Sequence, residues 1–154
     1  MGLKDEVDLL RRVPLFAQME PAKLKLLAFT SQRMTFQPEQ SLFKQGDSGD
    51  AAYVLMDGQA EVIAETPQGA IPVATIGKNA IIGEIAILCD VPRTATVKAA
   101  TPLDALKIDK EDFLRLIREF PDMGIEIMRE LADRLSRTTA ELSDCRSALK
   151  KLAN

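Results

Sequence analysis

The sequence predicts a mainly β domain held between helical ends, and three observations predict it. From Met34 to Ile108, short apolar runs alternate with Gly and Pro at a spacing of about eight to twelve residues, the pattern of an antiparallel sandwich or a jelly-roll barrel. On either side the pattern changes to helical spacing. The chain has 154 residues, 46% of them hydrophobic, enough for one sizeable core.

Residues 3–12 read as a helix, stopped by Val13-Pro14. Glu20-Pro21 opens a second short helix, with Leu24, Leu27 and Ala28 on one side. The strand candidates are Met34 to Phe36, Ser41 to Lys44, Ala51 to Met56, Ala60 to Glu65, Ile71 to Ile76, Thr94 to Ala99 and Ala105 to Ile108. Asp57-Gly58, between two of them, is the signal of a hairpin with a primed turn. The turn-rich stretch Gln45-Gly46-Asp47-Ser48-Gly49-Asp50 reads as an ordinary surface loop, with a ligand role left open, and supplies no site residue. Asp109 is a natural N-cap for a further helix, with Asp112 in its first turn. Phe113, Leu114, Leu116 and Ile117 give that helix an apolar face, and Phe120-Pro121 ends it.

From Pro121 the pattern is helical to about Leu152, with no Gly or Pro after Gly124. Met128, Leu131, Leu135, Thr138, Leu142, Cys145, Leu149 and Leu152 follow a three-four spacing. This is the a/d seam of a left-handed coiled coil held for about four heptads. Such a helix is longer than about 40 Å and outruns a small barrel. The expectation is therefore a parallel homodimer through Met128, Leu131, Leu135, Leu142, Cys145, Leu149 and Leu152. Glu141 and Arg146 fall at g and e positions, where they can pair between chains.

Composition narrows the function. The chain has no histidine, which removes the usual general base and the commonest metal ligand together. No metal is expected, and an enzyme built on a metal-binding cupin-like barrel is a weak alternative. Two cysteines, Cys89 and Cys145, make no disulfide framework. A net charge of -3 argues against a nucleic-acid surface. No apolar run reaches the roughly 20 residues that cross a bilayer, and the acidic N-terminus is no secretory signal. The expected location is the cytoplasm, away from membranes.

The chemistry concentrates in Gly83 to Val97, Gly-Glu-Ile-Ala-Ile-Leu-Cys-Asp-Val-Pro-Arg-Thr-Ala-Thr-Val. A helical turn opening at Gly83 offers backbone N–H groups to an anion. The Arg93 guanidinium can fork onto two oxygens of one phosphate, and Glu84 can accept a hydrogen bond from a sugar hydroxyl. Donors, one arginine and one carboxylate suit a nucleotide with a single charge and a free ribose hydroxyl.

This stretch resembles the phosphate-binding cassette of the cyclic nucleotide-binding domains. Gly83, Glu84, Ile85, Ala86, Pro92, Arg93, Ala95, Thr96 and Val97 fall on the family pattern, with Ile82 in place of its aromatic. The resemblance implies a jelly-roll β-barrel (β-roll) with N-terminal helices, a hinge helix after Asp109 and a long dimerisation helix. It assigns Arg93 to the cyclic phosphate and Glu84 to the ribose 2′-hydroxyl. It assigns the backbone of Gly83, Ile85 and Ala86, with Thr94, to the remaining phosphate and base contacts. The hinge helix would pack on the cassette near Ile87 and Leu88 and shift when ligand enters. The run Ala132-Asp-Arg-Leu-Ser-Arg-Thr138-Thr139 is similar to the dimerisation helix of the bacterial catabolite activators. That similarity implies that Thr138 and Thr139 reach the adenine base across the dimer seam.

In those activators a helix-turn-helix domain follows this helix, whereas the present sequence stops at Asn154. The expectation is a stand-alone bacterial-type sensor that makes no DNA contact and signals to another, unidentified protein. Residues 1–120 would form the nucleotide-binding β-roll and 121–154 its dimerisation segment. The expected ligand is cyclic AMP: Thr138 and Thr139 favour adenine, although threonine after the arginine, here Thr94, occurs in relatives that accept guanine, so cyclic GMP stays open. No enzymatic activity and no cofactor beyond this ligand are expected. The alternative function is a dimeric interaction scaffold with a vestigial pocket.

Overall fold

A computed structural model describes residues 3–13 and 16–153, which divide into two compact units, one ending at Leu116 and the other beginning at Ile117. The stop expected at Pro14 lies outside the described residues.

The first unit opens with α1 (Leu3–Arg11) and α2 (Pro21–Thr30), which pack on each other. Asp5 and Glu6 in the first turn of α1 and Arg11 in its last complement the helix dipole. Pro21 takes the first position of α2, where a missing N–H costs nothing. Leu24, Leu27 and Ala28 are buried as their spacing predicts.

Eight strands follow: β1 (Gln32–Phe36), β2 (Ser41–Phe43), β3 (Ala51–Asp57), β4 (Ala60–Thr66), β5 (Gly69–Ile76), β6 (Ile81–Ile82), β7 (Thr96–Ala99) and β8 (Leu103–Asp109). They form two four-stranded antiparallel sheets, ordered β1-β8-β3-β6 and β2-β7-β4-β5. Consecutive strands repeatedly change sheet, which is how a jelly roll is wound. Leu42, Tyr53, Leu55, Ala60, Val97, Leu103 and Ala105, drawn from both sheets, share one core. The mainly β, jelly-roll class expected from the sequence is the class observed.

Several local expectations need correction. Asp57-Gly58 is no hairpin, because β3 lies in one sheet and β4 in the other. It is a corner: Gly58 has φ +90°, and a Cβ there would stand 2.2 Å from the Pro102 carbonyl oxygen. The tight hairpin joins β4 to β5 around Pro67-Gln68, where Thr66 Oγ1 donates to the Gly69 carbonyl at 2.7 Å. β7 starts at Thr96 and not at Thr94, since Arg93 and its neighbours are tied to another loop, described below. The two-residue strand β6 escaped the pattern because it is too short to show a period.

Between β6 and β7 lies the short helix α3 (Glu84–Leu88), and after β8 comes α4 (Lys110–Glu119), whose last turn begins the second unit. The second unit is otherwise α5 (Pro121–Ala153), a helix of 33 residues, about 50 Å long. Met128, Leu135, Leu142, Leu149 and Leu152 are exposed along it, the last at 83%. Cys145, Thr138 and Thr139 are exposed as well, and Leu131 is half-buried. No helix among the described residues is long and apolar enough to cross a membrane.

Candidate functional site

The site grows from a backbone peculiarity. Gly83 sits between β6 and α3 at φ +85°, in the left-handed region. A Cβ there would lie 2.6 Å from Arg93 Nη1 and 3.1 Å from the Ala51 carbonyl oxygen. Only glycine lets the arginine close on this backbone without strain. α3 then makes little more than one turn, with Glu84, Ala86 and Ile87 buried and Ile85 half-buried. Leu88 is exposed, so of the pair expected to face the hinge helix only Ile87 is in the core. Cys89 N donates to the Ile85 carbonyl at 2.9 Å and Val91 N to that of Ala86 at 3.2 Å, with Asp90 at φ +52°. The turn brings the chain back through Pro92 to Arg93.

Arg93 meets the loop 45–50 there. Gly46 N donates to the Arg93 carbonyl at 2.9 Å, and Arg93 N donates to the Asp47 carbonyl at 2.8 Å. Gln45 N donates to Thr96 Oγ1 at 2.9 Å. Gly49 lies so close to α3 that a Cβ on it would be 2.4 Å from the Ala86 Cβ. The stretch read as an ordinary surface loop is thus a clamp on the cassette. Its signal was in the sequence: two glycines and two aspartates in six residues allow tight turns and close backbone approach.

The charges of the site are buried. Among the described residues, Glu84 at 1% exposure and Arg93 at 3% are the charged side chains in the interior. Arg93 Nη1 donates to the Gly83 carbonyl at 2.8 Å and Nη2 to that of Ala51 at 2.6 Å. Asp50 Oδ1 stands 3.7 Å from Nη2, but its side chain is 74% exposed. The Nε–H has no hydrogen-bond partner among the described residues. Phe43 places its ring face 4.0 Å from the guanidinium carbon. Burial pulls the Arg93 pKa down, and the negative potential of Tyr53, Asp50, Asp47 and Glu84 works against that pull. Burial likewise pushes the Tyr53 phenol up, opposed by the Arg93 charge. Guanidinium does not deprotonate in proteins, so a cation is held here under a desolvation cost that neutral carbonyls offset only in part.

Of the residues expected in the site, Gly83, Glu84, Ile85, Ala86 and Arg93 come together around α3. Thr94 follows Arg93 and is exposed, in a bend before β7. Thr138 and Thr139 lie on α5, in the second unit. Sequence reading missed Asp50, Phe43 and the Ala51 carbonyl. Backbone acceptors leave no mark in a sequence, and nothing in the spacing connects residue 43 or 50 with residue 93. Beside α3 a cleft of about 320 Å³ is lined by Gly46, Ser48, Gly49, Ala86, Asp90, Val91, Pro92 and Lys110. It shares only Ala86 with the expected site. Lys110 Nζ spans it toward Asp90 Oδ1 at 3.4 Å, and Lys110 N donates to the Asp50 carbonyl at 2.9 Å.

Comparison with known proteins identifies the family. Residues 33–120 match the family model described as cyclic nucleotide-binding domain. A CRP-like cAMP-activated global transcriptional regulator of Mycobacterium tuberculosis is 28% identical over 138 residues, 89% of this chain and 62% of that protein. A cAMP-dependent protein kinase regulatory subunit of Emericella nidulans is 33% identical over 108 residues, 70% of this chain and 26% of that one. The chain thus spans less than two thirds of either relative. The Thermus thermophilus catabolite activator protein superposes with a TM-score of 0.74 at 29% identity, covering 84% of this chain and 62% of that one. These relatives are regulators. With the model match covering more than half of its length, the chain belongs to the cyclic nucleotide-binding domain family.

Proposed function

We propose that this domain is a sensor that binds cyclic AMP in preference to cyclic GMP at the α3 cassette and passes occupancy on through its C-terminal helices. The observation that carries the reading is the pair of buried charges. A protein places an arginine and a glutamate in its interior, at a desolvation cost, where they have work to do. Arg93 bonds the cyclic phosphate, and the backbone N–H groups of Gly83, Ile85 and Ala86 add donors. Glu84 accepts the ribose 2′-hydroxyl, and Thr94 stands at the rim for phosphate or base. The reading continues through α5: a parallel homodimer along Met128, Leu131, Leu135, Leu142, Cys145, Leu149 and Leu152 presents Thr138 and Thr139 to the adenine. The role is one of binding and not of catalysis, and the signal requires that bound and free forms differ in helix position. The catabolite-type relative is named as cAMP-activated and the kinase-subunit relative as cAMP-dependent, which supports adenine.

A second reading, a dimeric scaffold with a vestigial pocket, draws on one observation. Both terminal nitrogens of Arg93 already donate to main-chain carbonyls, as a purely structural arginine would. Calorimetric titration of nucleotide-free protein with cyclic AMP, cyclic GMP and 5′-AMP separates the two. The sensor binds cyclic AMP at micromolar or tighter affinity, cyclic GMP more weakly and 5′-AMP not at all. The scaffold gives no heat with any of them.

A further inference from the structure

The guanidinium of Arg93 is fixed on three sides before any ligand arrives. Two sides are the carbonyls of Gly83 and Ala51, which take one N–H from each terminal nitrogen. The third is the ring of Phe43, 4.0 Å from the guanidinium carbon. Phe43 ends β2 opposite Val97 of β7, next to a break in register that lets this strand bend. The ring is itself wedged. Its centroid is 6.0 Å from that of Tyr53, tilted at 36°, and Tyr53 meets Phe36 edge-on at 6.5 Å. Tyr53 is buried and Phe43 packs against the core. An aromatic column therefore rises from the core and ends on the face of the one arginine in the cassette.

We propose that Phe43 is a positioning residue for anion binding: its ring is a shelf that fixes the plane of the Arg93 guanidinium, whose buried Nε–H has no hydrogen-bond partner among the described residues, so that the cyclic phosphate meets an arginine already ordered once it reaches that edge. This deepens the nucleotide-binding reading of the same site and rests on it. A guanidinium over an aromatic face is attracted by the ring quadrupole, most strongly where water is excluded. Arg93 is in such a place, and its formal counter-charge, Asp50, stands 3.7 Å from Nη2 on a side chain that is 74% exposed, where water screens the pair. Carbonyls alone would leave the guanidinium free to tip about the line joining its two bonds. A ring against one face removes that freedom, and an anion then binds without the cost of ordering a long side chain. An aliphatic residue at position 43 would fill the volume and not supply the quadrupole.

The test uses Phe43→Leu and Phe43→Tyr in the full chain, with two readouts. The first needs no ligand: the ¹⁵N–¹H signal of Arg93 Nε. A stacked, immobile guanidinium gives a ring-shifted, slowly exchanging resonance in the parent and in Phe43→Tyr, and an averaged one in Phe43→Leu. The second is cyclic AMP affinity, which falls about tenfold in Phe43→Leu and stays within about twofold in Phe43→Tyr. Thermal unfolding of ligand-free protein identifies a general loss of fold. Equal losses in the two variants, or an unchanged Nε signal in Phe43→Leu, overturn the shelf. If the parent binds no cyclic nucleotide while the Nε signal behaves as stated, the shelf stands as a clamp on Arg93 and the nucleotide reading fails by itself.

Discussion

Gly83 shows how one missing side chain can organise a site. Its left-handed backbone turns the carbonyl to Arg93 Nη1, and the space where a Cβ would be is the space the guanidinium fills. Gly83→Ala should destabilise the fold by about 1–2 kcal/mol from the left-handed conformation alone. It should also weaken cyclic nucleotide binding, because Arg93 must move; chemical denaturation and calorimetry measure the two losses. At this scale the sequence was legible wherever chemistry and order combine. Glycine, glutamate, proline and arginine at fixed separations identified the cassette. Phe43, Asp50 and the Ala51 carbonyl were not legible, because their roles exist only once β2, β3 and the cassette have been folded together.

Strand pairing sets the next scale, and one ion pair there is open to titration. β1 and β8 are antiparallel neighbours, with Thr35 opposite Asp104. Arg33 Nη2 reaches Asp104 Oδ2 at 2.5 Å, and Thr35 Oγ1 donates to Oδ1 at 3.2 Å. The Arg33 hydrogen bond holds the Asp104 carboxyl below its ordinary value of 3.8, and the same bond raises the Arg33 pKa. A lowered carboxylate contributes stability above its unfolded pKa and loses it as pH falls through the folded one. Asp104→Asn should therefore be less stable than the parent at neutral pH. The difference should shrink as the pH falls through the lowered pKa of Asp104 and vanish once the carboxyl is protonated in both folded and unfolded protein, as urea unfolding at several pH values would measure. The elements themselves were mostly legible, because each strand carries a run of apolar residues long enough to recognise. The corner at Asp57-Gly58 was misread for a physical reason. A two-residue turn with a glycine looks the same in sequence whether its strands pair or part into separate sheets, and only the distant partners β8 and β7 decide.

At the scale of the whole molecule the unsatisfied feature is α5. Five large apolar side chains at heptad spacing stand exposed on it, Met128 at 62% and Leu135 at 67% among them. Exposed apolar rows of that length mark an interaction surface. The dimer reading predicts that the parent sediments at twice the 16.9 kDa chain mass, and that Leu142→Glu with Leu149→Glu sediments at the chain mass with its β-roll intact. A parent that stays monomeric at high micromolar concentration would contradict the coiled coil and, with it, the cross-seam role of Thr138 and Thr139. The long periodic helix was legible in the sequence because its spacing runs unbroken for about four heptads; what covers it was not, since a seam does not name its partner.

The measurement that bears most directly on the account is a paired titration of parent and Arg93→Ala with cyclic AMP, both shown to be folded and free of nucleotide. Micromolar or tighter binding is expected in the parent and a loss of roughly a hundredfold or more in the variant, the effect of removing a charged, multiply bonded phosphate partner. Equal affinity in the two proteins, or no binding in the parent, would contradict it.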